Sequence, residues 1–265
     1  HRKLQTAPDM GAADSFHFQQ FRVSQDRCAM KVGTDGVLLG AWASLPVKSA
    51  KEPVNILDIG TGTGLIALMV AQRLAHAGQA FQITALEPEP LAAAQARQNI
   101  VQSAWAKHMQ VQTQSIATAP LGPADLWVCN PPFFEQKRIS AQQERAQARH
   151  SGPGFIGDFF ARANECLSAQ GHIALVLPQD REDVYVKAAQ DAGWHRRKRC
   201  EVRHSEQHPV KRVLLEFERS ASAVTETQTL CLKEMGPEGW QDTAAYARYV
   251  APFYLRYLNA NPAPT

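Results

Sequence analysis

No stretch of this 265-residue chain approaches the run of about 20 apolar residues that crosses a bilayer. The opening HRKLQTAPDM also lacks the apolar core of a secretion signal. A membrane partner is therefore not expected, and the cytoplasm is the expected compartment. Cysteine is sparse: Cys28, Cys129, Cys166, Cys200 and Cys231 are odd in number, widely spaced and without a CxxC pair. That pattern argues against both a disulfide framework and a structural zinc site. No internal repeat is visible, and charge of one sign is not in large excess. A net charge of +3 with pI near 8.6 permits a nucleic-acid partner without demanding one. The chain starts at His1 without a Met, so trimming of a longer chain is expected.

What is present is the composition of a folded domain, 45% hydrophobic and 20% charged. The polar, small and Pro-rich ends, residues 1–15 and 259–265, are expected to be flexible around a single domain at 16–258. Short apolar runs at 54–58, 81–87, 109–114, 124–130 and 172–178 alternate with helix-like segments at 65–77, 90–103, 155–169 and 180–191. This alternation predicts an α/β, Rossmann-like fold with a mostly parallel, doubly wound sheet. The runs 194–202 and 212–218 are joined too tightly for a crossover helix, so an antiparallel hairpin is expected to close one edge. Before the first strand, residues 16–50 form a covering segment. Its part 16–43 reads as a short hairpin or extended stretch turning at Gly33 and Gly36 into a helix laid over the ligand site.

The run DIGTGTG places Gly60, Gly62 and Gly64 between a strand and a helix, where glycines allow a tight turn and close approach of a ligand to the backbone. Gly62, Gly64 and Ala67 also satisfy the looser dinucleotide pattern GxGxxA, with Glu87 at a suitable distance, so a nicotinamide cofactor is a rival. Asp58 at the head of the loop favours S-adenosylmethionine, because a carboxylate there accepts from a methionyl ammonium or ordered water and repels a pyrophosphate. Glu87, ending the second strand, is placed to accept from ribose hydroxyls.

Asn130-Pro131-Pro132-Phe133 follows the strand ADLWVC, so three loops converge on one rim of the sheet. The prolines stiffen the loop and push the residues before them toward extended backbone. The Asn130 side-chain oxygen and the Pro131 carbonyl are two acceptors for the hydrogens of an aromatic amine. They favour rehybridisation of a nitrogen whose lone pair is otherwise held in the ring. Phe133 or Phe134 is expected to stack on the flat substrate. Alternation along the strand turns Cys129 to the core. No metal is called for, and His204 with His208 reads as a solvated hairpin loop rather than a ligand pair.

Two basic clusters stand out: Lys137, Arg138, Arg145, Arg149 and His150 after the Asn-Pro-Pro run, and Arg196, Arg197, Lys198, Arg199, Arg203, Lys211 and Arg212 on the terminal hairpin. The first cluster together with Arg197, Arg199 and Arg212 is the candidate RNA-contacting set. On an edge strand the same cations would instead guard against sheet-to-sheet association.

The segments FHFQQFRVSQDRCAMKVGTDGVLLGAWA, ILDIGTGTGLIALMVAQR, NPPFF, ARH at 148–150, PVKRVLLEF and APFYLRY together resemble the bacterial tRNA1(Val) (adenine-37-N6)-methyltransferase family, over residues 16 to about 257. The resemblance implies a class I methyltransferase fold, and transfer of a methyl group from S-adenosylmethionine to N6 of adenosine 37 in the anticodon loop of a valine tRNA. It carries the cofactor loop onto Asp58, Gly60, Gly62 and Gly64, the ribose acid onto Glu87, and the catalytic motif onto Asn130, Pro131, Pro132 and Phe133. It also makes Lys31, Thr34 and Asp35 accessory cofactor contacts, and it implies no obligate protein partner. Phe133 stands where Tyr is often found. Guanine N2 of ribosomal RNA, a protein glutamine, an NAD-dependent oxidoreductase and a non-catalytic RNA-binding module are the alternatives.

Overall fold

The computed structural model describes residues 14–28, 30–49, 51–131, 153–221 and 224–259. The expected flexible ends therefore fall almost wholly outside the described residues. So does most of the loop that starts at Pro132.

In chain order, β1 (Ser15–His17) and β2 (Arg22–Ser24) form a small hairpin, followed by α1 (Thr34–Trp42). The main sheet is built from β3 (Val54–Ile59), β4 (Phe81–Leu86), β5 (Met109–Gln112), β6 (Ala124–Cys129), β7 (Leu167–Pro178), β8 (His195–Arg203), β9 (Arg212–Glu218) and β10 (Glu226–Cys231). The intervening helices are α2 (Leu65–His76), α3 (Pro90–Val101), α4 (Pro153–Cys166) and α5 (Glu182–Asp191). A second hairpin, β11 (Lys233–Gly236) with β12 (Gly239–Asp242), and helix α6 (Ala244–Val250) complete the chain. No described helix is long and apolar enough to cross a membrane.

The strand order is β10-β8-β9-β7-β6-β3-β4-β5, parallel from β7 through β5 and antiparallel where β9 meets β7 and β8. β3 and β6 are buried along nearly their whole length, as strands covered on both faces must be. One apolar layer packs α1, α2 and α6 on one face of the sheet. The other packs α4 and α5 beneath Trp127, Phe159 and Phe217. Helix α3 begins cleanly because Glu89 caps it, accepting from the backbone N–H groups of Leu91 and Ala92, with Pro90 in the first turn.

Three expectations need correction. The hairpin β8–β9 does not close the sheet, because β10 lies outside it, parallel to β8. Gly36 is no turn: α1 starts at Thr34, and a Cβ at Gly36 would stand 3.1 Å from the Leu65 side chain, so the glycine lets α1 sit against α2. The strand expected at 172 begins at Leu167, directly after α4 ends at Cys166, so that helix stops short of residue 169.

Candidate active site

The glycine loop is built by backbone that ordinary side chains avoid. Gly60, Gly62 and Gly64 have φ of 68°, 57° and 86°, all in the left-handed region where a Cβ is penalised. Asp58, at the end of β3, is fully buried. Its Oδ2 accepts from the Thr61 hydroxyl at 2.6 Å and the Ala67 N–H at 3.1 Å, closing the loop onto the first turn of α2. Its Oδ1 is buried without a hydrogen-bond partner, and no described cation lies within ion-pair distance of it. Burial pushes this carboxyl up to about 7, against the hydrogen bonds from Thr61 and Ala67.

Glu87 follows β4 and crosses to the same loop. Its Oε2 accepts from Gly62 N–H at 2.9 Å and its Oε1 from Glu89 N–H at 3.1 Å. Burial again raises its pKa, and Glu89 adds to the rise. Two carboxylates thus line one loop, held by neutral donors only.

The segment before β3 reaches the glycine loop. Cys28 Sγ would stand 3.6 Å from a Cβ at Gly62, and Arg212 Nε on β9 reaches Asp35 on α1 at 2.7 Å. Phe18 and Phe21 stack at 4.6 Å, Phe18 stacks on Tyr254 at 6.0 Å, and Gln19 donates to the carbonyls of Ala251 and Tyr254. The residues that tie this segment to the loop are not in the sequence-derived set. Asn99 on α3 donates to the carbonyls of Ser24 and Thr63 and accepts from Ser24 N–H, while Gln95 accepts from Arg27 N–H. Their signal was available: two buried amides spaced i, i+4 on an otherwise alanine-rich helix face.

Asn130 leaves β6 next to the glycine loop, because Ile59 pairs with Cys129. Asn130 is half-buried and Pro131 buried, and Cys129 lies in the core, as does every residue of β6. Pro132, Phe133, Phe134, Lys137, Arg138, Arg145, Arg149 and His150 lie outside the described residues. Lys31 is exposed at the approach to α1, and Thr34 opens that helix.

The cations of the antiparallel strands are largely taken up within the chain. Glu182 accepts from Arg199 Nε at 2.6 Å, Arg199 Nη2 at 2.9 Å and Arg196 Nη1 at 2.8 Å. Arg199 also meets Glu201 at 2.7 Å, and Arg197 lies between Glu216 at 3.3 Å and Glu218 at 3.4 Å. Because β8 is interior, protection of an exposed edge does not account for its basic residues; these carboxylates do. Arg212, paired with Asp35, lies in register with Pro178 at the carboxyl ends of the parallel strands, the end from which Asn130 emerges. His204 and His208 pack ring to ring at 5.0 Å, and among the described residues no group of three side chains could hold a metal.

Residues 43–185 match the family model of the methyltransferase small domain. The tRNA1(Val) (adenine(37)-N6)-methyltransferase of Serratia proteamaculans is 40% identical over 245 residues, covering 91% of this chain and 90% of that protein. The chain belongs to this methyltransferase family. The Tolumonas auensis member is 41% identical over 242 residues, covering 91% of this chain and 97% of its own length. A solved structure, a predicted O-methyltransferase from Agrobacterium tumefaciens, superposes with a TM-score of 0.58 over 78% of this chain and 92% of that one. At 17% identity that likeness shows the shared methyltransferase fold.

Proposed function

We propose that this chain transfers a methyl group from S-adenosylmethionine to the N6 amino nitrogen of adenosine 37 in the anticodon loop of a valine tRNA. The observation that carries the reading is the pairing of Ile59 with Cys129. It seats the glycine loop and Asn130 at adjacent strand ends, about 5 Å apart in the sheet.

The residues fit the cofactor. Asp58 Oδ1 is a buried acceptor with no donor of its own, which suits a methionyl ammonium or a water bridging to it. A Cβ at Gly60 would meet nothing within 4 Å, so the backbone there is open to a ligand. Glu87 uses both oxygens on backbone N–H groups but keeps lone pairs for ribose hydroxyls. A pyrophosphate would face two carboxylates with no cation between them, which disfavours the dinucleotide alternative. When bound, S-adenosylmethionine supplies a methyl group already activated by its sulfonium.

The protein's part is to aim and polarise the amine. The Asn130 side-chain oxygen and the Pro131 carbonyl accept the two amino hydrogens, drawing the nitrogen out of conjugation and stabilising the positive charge that grows on it as the N–C bond forms. The surplus proton then passes to water. Phe133 or Phe134 supplies the stacking face, and Lys31, Thr34 and Asp35 bound the methionyl end. Lys137, Arg138, Arg145, Arg149, His150 and Arg212 meet phosphates, while Arg197 and Arg199 brace the sheet through their glutamates.

The test is transfer of labelled methyl groups to total RNA and total protein from a strain lacking the gene, followed by mass-spectrometric nucleoside mapping. Label at N6 of adenosine 37 in a valine tRNA is the expected result. Label on a guanine or in protein overturns the reading.

A further inference from the structure

The chain has five tryptophans. Trp42, Trp105, Trp127 and Trp194 are buried, whereas Trp240 is 50% exposed, and its cross-strand partner Met235 is 66% exposed. Both sit on the β11–β12 hairpin. This hairpin projects from the carboxyl end of β10: Leu232 N–H donates to the Arg203 carbonyl and Lys233 N–H to the His204 carbonyl. It therefore rises from the same rim as Asn130, four strands away along the sheet. Four spacings amount to about 19 Å, the length of about six stacked nucleotides at ~3.4 Å each.

The hairpin is tied to its surroundings by side-chain contacts. Lys233 and Asp242 pair at 2.6 Å, and Thr243 donates its hydroxyl to the Cys231 carbonyl at 2.6 Å. The His204 ring packs against Trp240 at 5.5 Å and 60°, while half of the Trp240 surface stays open. Two cations stand on this side: Lys233 and Arg256 both pair with Asp242, and Glu238 lies exposed in the turn beyond them. Glu234 bonds Gln241 on the opposite side of the hairpin, as the alternation of a strand requires.

We propose that Trp240, braced by His204, is a second RNA contact: a stacking platform for an unpaired base of the same RNA whose adenosine reaches Asn130. The inference rests on the RNA-methyltransferase reading above. Single-stranded bases are gripped by stacking on aromatic faces with cations near by, which is the chemistry assembled here. Substrate strand running along the rim would touch the catalytic loop at one point and this platform several nucleotides away.

The experiment uses the full-length protein and an unmodified valine tRNA transcript. Iodide should quench the fluorescence of Trp240 and leave the four buried indoles nearly untouched, and saturating tRNA should abolish that quenching. Trp240→Ala should raise KM for tRNA about tenfold with kcat and the affinity for S-adenosylmethionine unchanged, and Trp240→Phe should restore most of the loss. If wild-type protein methylates the transcript while iodide access and the KM of Trp240→Ala stay as in the absence of a contact, the platform is refuted and the methyltransferase reading stands. If wild-type protein does not methylate it, the reading beneath the platform fails. Protection by a protein partner but not by tRNA also overturns the proposal.

Discussion

The antiparallel strands and the glycine-loop rim treat buried carboxylates in opposite ways, although Asp125 at the other end of the parallel strands does pair with Lys48. In the antiparallel half, Glu182 and Glu216 are buried against guanidinium groups, Arg196 and Arg199 for the first and Arg197 for the second. In the parallel half, Asp58 and Glu87 are as deeply placed but meet only the N–H and O–H donors of their own loop. Charges of the first kind complete themselves within the fold. Those of the second are left short of a cation, and on the proposed function the cofactor completes the electrostatics there.

The largest effect that tests this contrast is catalytic. Asn130→Ala should lower kcat about 100- to 1,000-fold while cofactor binding by calorimetry stays nearly intact; unchanged turnover would remove Asn130 from the mechanism. In the antiparallel half, Glu182→Ala removes the carboxylate paired with Arg196 and one of the two paired with Arg199. Because these guanidiniums keep some exposure, the expected loss is about 2 kcal/mol in urea unfolding rather than the full cost of a broken buried pair, with cofactor affinity unaltered.

The reverse result is expected at Asp58. Its folded value of about 7 lies above the ordinary 3.8, so between these limits the folded chain holds a proton the unfolded chain has released. Its contribution to stability should therefore decline as pH rises from about 4 to 7 and stay level above that. Asp58→Asn should flatten that slope and keep or raise stability at pH 8, yet weaken cofactor binding. In the wild type, affinity should climb by at most about tenfold per pH unit below 7 as the carboxylate forms. A pH-independent affinity would contradict the role given to Asp58. The smallest effect is expected at Asp35→Asn, where the partly exposed pair with Arg212 should contribute no more than about 1 kcal/mol and fade with added salt.

The parallel core was legible in the sequence because its signals are local. Apolar runs, the three glycines and the Asn-Pro pair each carry their meaning within a few residues. β10 and the second hairpin were not legible: ETQTLC alternates weakly, and its neighbour β8 lies more than twenty residues earlier. The basic run at 196–199 misled for a related reason. A count of cations cannot reveal that Glu182, Glu216 and Glu218 return to neutralise them. Asp58 sits in a strand buried on both faces, where no alternation tells which way a side chain turns.

Asn99 joins Ser24 to Thr63 through a single side chain, and this makes the covering segment and the glycine loop one cooperative unit. Hydrogen exchange should report it directly. The amides of Ser24 and Thr61 should open with a common free energy in the wild type, and in Asn99→Ala the Ser24 amide should exchange early while Thr61 lags behind. An enzyme built this way cannot lift its cover without loosening the floor beneath it.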